Sequence, residues 1–497
     1  MLGLDVLKKN DPKQVLVAAF LLACVHNYLF FGNMPGISYP MFIIVFYVYI
    51  ITFLREQLQF HTAPSWSLFI VIITLSTTYV LFNNPILYAL NFLLIPILIF
   101  IHITFIDNKQ KREWSSIRLI IDTLDHLIPQ SLRHIPTVFR MSRMVTGNSM
   151  KDTHKSVIAK VLIGLAISVP LLIIVISLLA SADRVFGHFL TELPHWLNEI
   201  SIGEGIARLT WVFVLFLLLF GYLWGFIDTY SYRFSEGMPV EHRMEKAKFT
   251  LDPIIVTTVL ICMNMVYVLF VIVQFSYLFG AWDGILPEGT TFAEHARSGF
   301  NELIFVSIIN FIVLIGVLNF AGRGNSFLHK FIDIMLTLLV GCSSMMLYSA
   351  FIRLHLYEEA YGYTYIRFLA HGFMIYLAIM LVVAGLRIWI KQISLARMFI
   401  AISLISYVAI NYIGMDRMIA EKNIERYVQE GKIDEYYLME LSTDAIPLII
   451  TFSNQESGIM EELLQQEYSR LTQSDRNWPS FNYSRYRAER ELGRYFE

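Results

Sequence analysis

Long apolar runs, each about the length of a bilayer crossing and separated by polar connections of varied length, fill the chain as far as residue 414. They lie near 15–32, 37–54, 66–82, 85–106, 157–181, 206–227, 252–279, 301–321, 331–352, 366–390 and 396–414. A helix needs roughly 20 consecutive mostly apolar residues to cross the hydrocarbon, whereas a barrel strand alternates over about 10. The runs are too long and continuous for strands, so the pattern predicts an all-α, polytopic transmembrane helical bundle of about 11 helices. After residue 415 the pattern changes. Amphipathic stretches at 419–428, 436–441, 459–471 and 486–495 alternate with turn chemistry such as Asn477-Trp478-Pro479, which predicts a small helical tail.

These shifts divide the chain into four parts. Residues 1–106 form a four-helix membrane unit of two tight hairpins, 107–156 an amphipathic connector, 157–414 a seven-helix membrane core, and 415–497 the tail. The first run follows Lys8, Lys9 and Lys13 like a signal peptide. It lacks a small-x-small cleavage site and turns within a few residues into a second run, so it reads as a retained first helix.

Charge sets the expected orientation. With the N-terminus inside, the cytoplasmic connections hold most of the Lys and Arg, nine of them between 107 and 156, while the short outside loops carry only Arg184, Arg297 and Arg353. Cytoplasmic loops are enriched in Lys and Arg, and long tails are exempt from the rule. An odd number of crossings then makes the tail extracytoplasmic and the connector cytoplasmic. Trp66, Trp196, Trp211, Trp224, Trp282 and Trp389 fall near run ends, where indole rings anchor at headgroup level. In the connector, Ile117, Ile120, Ile121, Leu124, Leu127 and Ile128 recur at helical spacing behind the cap candidate Ser115, and Pro129 breaks the pattern. With Arg118, Arg133, Arg140 and Arg143 nearby, this is either an interfacial helix that grips anionic lipid or docks a cytoplasmic partner, or a plain connector lying against the bundle.

Composition agrees with a lipid environment: 56% of residues are hydrophobic and 16% charged, with a mean hydropathy of +0.56. A soluble domain carries about 25% charged residues. The net charge of -2, without a basic stripe interleaved with aromatics, argues against a nucleic-acid partner. Cys24, Cys262 and Cys342 all sit in apolar runs, where they serve as small hydrophobes, so neither a disulfide framework nor a thiolate metal site is indicated. Phosphate loops, a nucleophile elbow and dinucleotide fingerprints are missing from the polar segments, and no cofactor is expected.

The candidate chemistry lies in ionisable groups at the ends of runs, where hydrocarbon makes them costly and hence functional suspects. In the charge-derived topology they collect on the outer side, and the candidate binding cluster is Asp183, Glu294, Arg297, Glu302, Arg353, His355, Glu358, Glu359 and Arg367. On a helix continuing past residue 352, His355 lies over Glu358 and Glu359 at i+3 and i+4, offering an imidazole and a carboxylate together. Such a group can bind a cation, relay protons or act in acid–base chemistry. The competing account is ion pairing, in which Arg353 and Arg367 neutralise the glutamates. No catalytic residue is assigned. No metal is assigned either, because His355 has no second histidine at the spacing a zinc helix requires. Asn264, Gln274, Asn310, Ser343, Ser344 and Asn411 lie deeper, as interhelical hydrogen-bonding groups or as a polar pathway.

Four stretches together carry a family likeness. They are Ser177 to Asp183 with Val185-Phe186; Tyr277 to Gly280 followed by Phe292 to Leu303; Leu356 to Arg367; and Asp416-Arg417 together with Leu441 to Pro447. They resemble a bacterial multi-pass membrane family catalogued as a domain of unknown function, number forty-one seventy-three, and its close relative forty-one fifty-three. The resemblance covers most of the chain after about residue 150 and implies a bacterial cytoplasmic membrane location, with no settled activity. The leading reading is a non-enzymatic membrane protein whose outer polar cluster, capped by the tail, binds or passes a small solute, ion or lipid. Its partners are then membrane lipids and that ligand. A second reading is envelope-stress sensing, in which the connector signals to a cytoplasmic regulator. A third is a membrane-embedded transferase or hydrolase acting on envelope lipids, with Glu358 or Asp183 as base.

Overall fold

In hydrocarbon every backbone N–H and C=O must be satisfied within the segment, and the apolar runs are helical for that reason. A computed structural model describes residues 12–58, 60, 62–107, 113–138, 141, 202–228, 251–282, 300–320, 326–456, 458–473 and 477–497. The apolar helices are α1 (Pro12–Phe30), α2 (Ser38–Leu54), α3 (Ala63–Leu81), α4 (Pro85–Ile106), α6 (Ile202–Ile227), α7 (Pro253–Trp282), α8 (Phe300–Phe320), α9 (Ser326–Tyr361), α10 (Tyr365–Trp389) and α11 (Leu395–Tyr412), with the connector helix α5 (Ile117–Asp125) between α4 and α6. Among the described residues nine of these are long and apolar enough to cross a membrane, and α2 is a further apolar helix of 17 residues. The protein is an all-α, multi-pass membrane protein. The expected run at 157–181 lies outside the described residues. The chain divides into two compact units, one of residues 1–80, 93–232 and 476–481, the other of 81–92, 233–475 and 482–497.

In the first unit α1 lies along α6 and against α2. His102 of α4 is fully buried, with Nδ1 2.8 Å from the Tyr47 hydroxyl and Nε2 3.4 Å from Ser65 Oγ. Trp224, expected at headgroup level, is instead 1% exposed and stacked on Phe220 at 5.4 Å. The face of α6 that carries it packs inward. Trp66, Trp211 and Trp389 are exposed as anchors would be, and the side chains of Trp196 and Trp282 lie outside the described residues.

The connector differs from its expected form in two ways. Ser116, not Ser115, caps α5, its hydroxyl accepting from the Arg118 N–H at 3.2 Å. Pro129 does not end the helical path, because a π-turn over His126–Gln130 accommodates the residue that lacks an N–H, and Ser131–Arg133 continue it. The two sides of the connector also differ in burial, and Leu119 is buried at 3% exposure. Thr123, His126, Gln130, Ser131 and His134 face inward, while Ile117, Ile120, Ile121, Leu124, Ile128 and Leu132 are exposed. The inward polar face fits against α6 because Gly221 and Gly225 leave room: a Cβ at Gly221 would collide with the Ser131 backbone carbonyl, and one at Gly225 would lie 3.2 Å from His126 Nε2.

In the second unit α9 is central, packed by α7, α8 and α10. Its core includes Leu336, Leu339, Met346, Ala350, Leu381 and Ala384, with Cys342 buried among them as a small hydrophobe. Interhelical hydrogen bonds run from Asn310 Nδ2 to Ser343 Oγ (2.9 Å) and from Asn264 Nδ2 to the Met335 carbonyl (3.0 Å). In a membrane such bonds contribute about 0.6 kcal/mol each. At 36 residues α9 exceeds the roughly 20 that a crossing requires, so its polar ends reach past the apolar layer. After α11, Gly414 adopts φ +73° and turns the chain into the tail, which folds as α12 (Met415–Glu430), α13 (Glu435–Glu440), α14 (Ile446–Gln455), α15 (Glu461–Thr472) and α16 (Tyr483–Phe496). The tail helices share a core of Met415, Ile419, Leu438, Ile449, Phe452 and Leu492 that also takes in Leu87 of α4. Tyr363, Tyr365 and Phe368 pack against it from the start of α10. The tail is thus fastened to the ends of membrane helices by apolar burial, and this fixes the polar groups at the seam.

Candidate functional site

Two aspartates anchor that seam. Asp416, in the first turn of α12, is 2% exposed. Its Oδ2 accepts from Asn84 Nδ2 at 2.7 Å, and its Oδ1 accepts from the Ser442 N–H at 2.9 Å and from the Tyr365 hydroxyl. Asp444 precedes α14, and its Oδ2 accepts from the Asn83 N–H and from Ser442 Oγ, both at 2.9 Å. Burial pushes its carboxyl proton affinity above the usual range, against the opposing pull of the Asn83 N–H and neighbouring hydroxyls. The network continues from Asn83 Nδ2 to Thr443 Oγ1 (3.2 Å), from Arg485 Nε to Asn83 Oδ1 (3.0 Å), and between the Thr443 and Ser484 hydroxyls (2.9 Å). Below it, Asn91 Nδ2 donates to Asn411 Oδ1 and the Tyr407 hydroxyl to Asn91 Oδ1, each at 2.7 Å.

Beside Asp444 opens a cleft of about 370 Å³. One side is apolar, from Leu81, Phe82, Tyr412, Ile413, Pro447 and the ring of Tyr483; the other carries Arg417, Thr443, Asp444, Ser484 and Arg487. Leu81 and Tyr412 are the last residues of two apolar helices, so the cleft sits where the apolar layer gives way to the polar tail.

The candidates chosen from sequence lie along the α9–α10 turn. Glu358 is 1% exposed, with Oε2 3.0 Å from Nδ1 of His371 on α10, and no hydrogen bond of regular geometry reaches either carboxylate oxygen among the described residues. His355 pairs with Glu359 at 3.4 Å, both being exposed. Arg367 pairs with no glutamate among the described residues. Its guanidinium lies 4.3 Å over the Tyr357 ring and donates to the carbonyls of Tyr361 and Gly362, closing the end of α9 where Gly362 adopts φ +83°. Arg353 is half-buried on α9, and Glu302 is exposed in the first turn of α8. Asp183, Glu294 and Arg297 lie outside the described residues. Helix α12 joins the two polar regions. Beyond Asp416 it places Asn423 on the Tyr363 backbone (2.9 Å) and Arg426 on the carbonyls of Glu359 (2.8 Å) and Ala360 (2.7 Å).

Residues 69–452 match a family model, most of the chain. The chain belongs to that family, Domain of unknown function (DUF4153). The match is to the second of the two family numbers that the sequence likeness brought together. No curated protein and no solved structure matches the chain. The DUF4153 span contains Asn83, Asn84, Asp416 and Asp444, and ends before Ser484, Arg485 and Arg487. The two aspartates fall in the motif stretches but are not among the site residues that the sequence singles out. A clue was available in Leu441-Ser-Thr-Asp-Ala-Ile-Pro447, which packs three polar side chains next to an apolar helix start.

Proposed function

We propose that this DUF4153 protein binds a small solute, ion or lipid at the polar seam between its membrane helices and its tail. The observation that carries the reading is the cleft beside Asp444, which meets apolar helix ends on one side and charged tail residues on the other. Buried polar networks are costly unless saturated, and here the network fixes one wall of an open pocket. The Glu358–His371 pair and the exposed His355 and Glu359 extend the polar region along the α9–α10 turn, to which α12 is bonded. In this reading the N-terminal end is cytoplasmic, and the tail faces the outside of a bacterial cytoplasmic membrane, supported by the sorting of Lys and Arg between alternate connections. The protein acts by binding or passing its ligand rather than by catalysis.

The test is to fill the cleft. Tyr483→Cys is placed in a chain whose Cys24, Cys262 and Cys342 are replaced by alanine, and the new thiol is alkylated with a bulky maleimide. Native mass spectrometry of the full chain is expected to show a bound non-protein mass before alkylation and to lose it afterwards. Retention of that mass by the alkylated chain would place the ligand elsewhere and overturn the reading.

A further inference from the structure

The cleft carries an electrostatic signature that the binding reading leaves unused. Three tail helices begin at its wall. Gly414 and Arg417 belong to the start of α12, Asp444 and Pro447 to the start of α14, and Tyr483 and Ser484 to the start of α16. These helices have 16, 10 and 14 residues, long enough for each to present the positive end of its dipole there. Two guanidinium groups, of Arg417 and Arg487, line the same pocket. Arg417 makes no ion pair among the described residues, and the exposed Arg487 shares its charge with half-buried Glu491 at 2.8 Å. Among the lining residues Asp444 alone opposes them, with Oδ2 committed to the Asn83 N–H and the Ser442 hydroxyl, and Asp416, buried behind the wall in the first turn of α12, is engaged by Asn84, Tyr365 and the Ser442 N–H. Two exposed arginines therefore face the cleft while both aspartates at the helix starts are engaged within the protein, and the pocket favours an anion with several acceptor oxygens.

The arginine pair narrows the class. A guanidinium fork matches the oxygens of a phosphate better than a compact ammonium does. The opposite wall, of Leu81, Phe82, Tyr412 and Ile413, belongs to the ends of membrane helices and is made of apolar and aromatic residues. Resting on the binding reading above, we infer that the cleft takes a phosphate group, held between Arg417 and Arg487 and the starts of α12, α14 and α16, with the apolar part of a phosphate ester against Phe82 and Ile413. Next to it, Tyr483, Tyr486, Arg487, Arg490, Glu491 and Arg494 of α16 outline a second, shallower depression. That neighbour supplies a same-helix control outside the cleft.

The experiment uses the purified full chain in a neutral detergent and three probes: dihexanoyl phosphatidic acid, dihexanoyl phosphatidylcholine and inorganic phosphate. Binding is read by calorimetry at two salt concentrations. Phosphatidic acid is expected to saturate one site and to weaken as salt rises, because charged contacts are screened. Arg417→Gln and Arg487→Gln should each weaken it about tenfold, as loss of one charge-assisted contact does. Arg494→Gln, with the same change in net charge but outside the cleft, should leave it within about twofold. Both cleft arginines are exposed, so these variants keep the fold, and unchanged melting of each variant confirms it. Inorganic phosphate binding as tightly as the lipid would assign the site to a free phosphate compound; phosphatidic acid alone would assign it to a lipid headgroup. The inference is overturned if no phosphate probe binds, if phosphatidylcholine binds as well as phosphatidic acid, or if the Arg494 variant loses as much as the cleft variants. Any of these outcomes, together with a bound mass that cleft alkylation still displaces, would leave the binding reading standing and remove only the phosphate assignment.

Discussion

Replacing Asp416 by alanine removes an acceptor that holds three donors from three parts of the chain: Asn84 before α4, Tyr365 at the start of α10, and the Ser442 backbone before α14. A hydrogen bond to a charged group contributes about 1.5–3 kcal/mol, and the contributions are not additive here because Tyr365 and Ser442 share one oxygen. Leaving buried donors without their charge partner costs about 3–5 kcal/mol in total. At 1.4 kcal/mol per tenfold, tail undocking should become roughly two to three and a half orders of magnitude more frequent. Asp416→Asn keeps the shape and the Oδ1 acceptor but sets an amide N–H₂ against Asn84 Nδ2. Asn84 cannot simply flip, since its Oδ1 already accepts from the Leu87 N–H at 2.9 Å. That variant should cost about 1–3 kcal/mol, the penalty of a mismatched buried donor. Hydrogen–deuterium exchange of the α12 amides measures the opening directly. The reasoning is refuted if Asp416→Ala leaves α12 exchange at the wild-type rate, or if the Asn variant opens more than the Ala variant.

Because the folded-state proton affinity of Asp444 is raised, the native state holds a proton that the unfolded chain releases between the ordinary carboxylate value and the higher one. Stability from this group therefore falls as pH rises through that window and is flat above it; urea melting between about pH 4 and about pH 7 should show the falling limb in wild type and not in Asp444→Asn. Gly221→Ala forces a Cβ onto the Ser131 carbonyl and should destabilise by about 1–3 kcal/mol in thermal melting. Gly205→Ala on the same helix meets nothing within 4 Å and should leave melting unchanged or slightly raised, and equal effects of the two would contradict the packing described. The exposed apolar side of α5 is expected to lie in lipid. A tryptophan introduced as Ile121→Trp should be quenched by phospholipids brominated on their acyl chains, and no quenching would mean that protein or water covers that face.

The helical bundle was legible because its cause is local: a long apolar run in lipid has one way to satisfy its backbone. Details set by packing were less so. Ile117, Ile120, Ile121 and Leu124 correctly mark a helix, but the periodicity alone did not show that their face turns outward, since that depends on two glycines about a hundred residues later. Pro129 looks like a stop, and the π-turn that absorbs it has no sequence mark. At the site, helical spacing placed His355 over both glutamates. It meets Glu359, while Glu358 is met by His371, brought back by the turn at Gly362. Arg367, which the competing account set against the glutamates, instead donates to helix-end carbonyls. The Asp416–Asp444 network was hidden for a related reason: Asn83 and Asn84 read as turn residues, and the aspartates they serve lie more than three hundred positions away. Weighing ionisable groups by their depth in apolar runs finds isolated costs and misses those shared across the fold.

In the membrane, the cleft at the tail seam is expected to be occupied by a ligand. A photo-crosslinking amino acid at Ile413, an exposed residue of the cleft wall, irradiated in intact membranes, tests it most directly when the adduct mass is read with and without a maleimide-filled Tyr483→Cys. The account expects a defined non-protein adduct that filling the cleft abolishes. An adduct yield indifferent to the filling would contradict it.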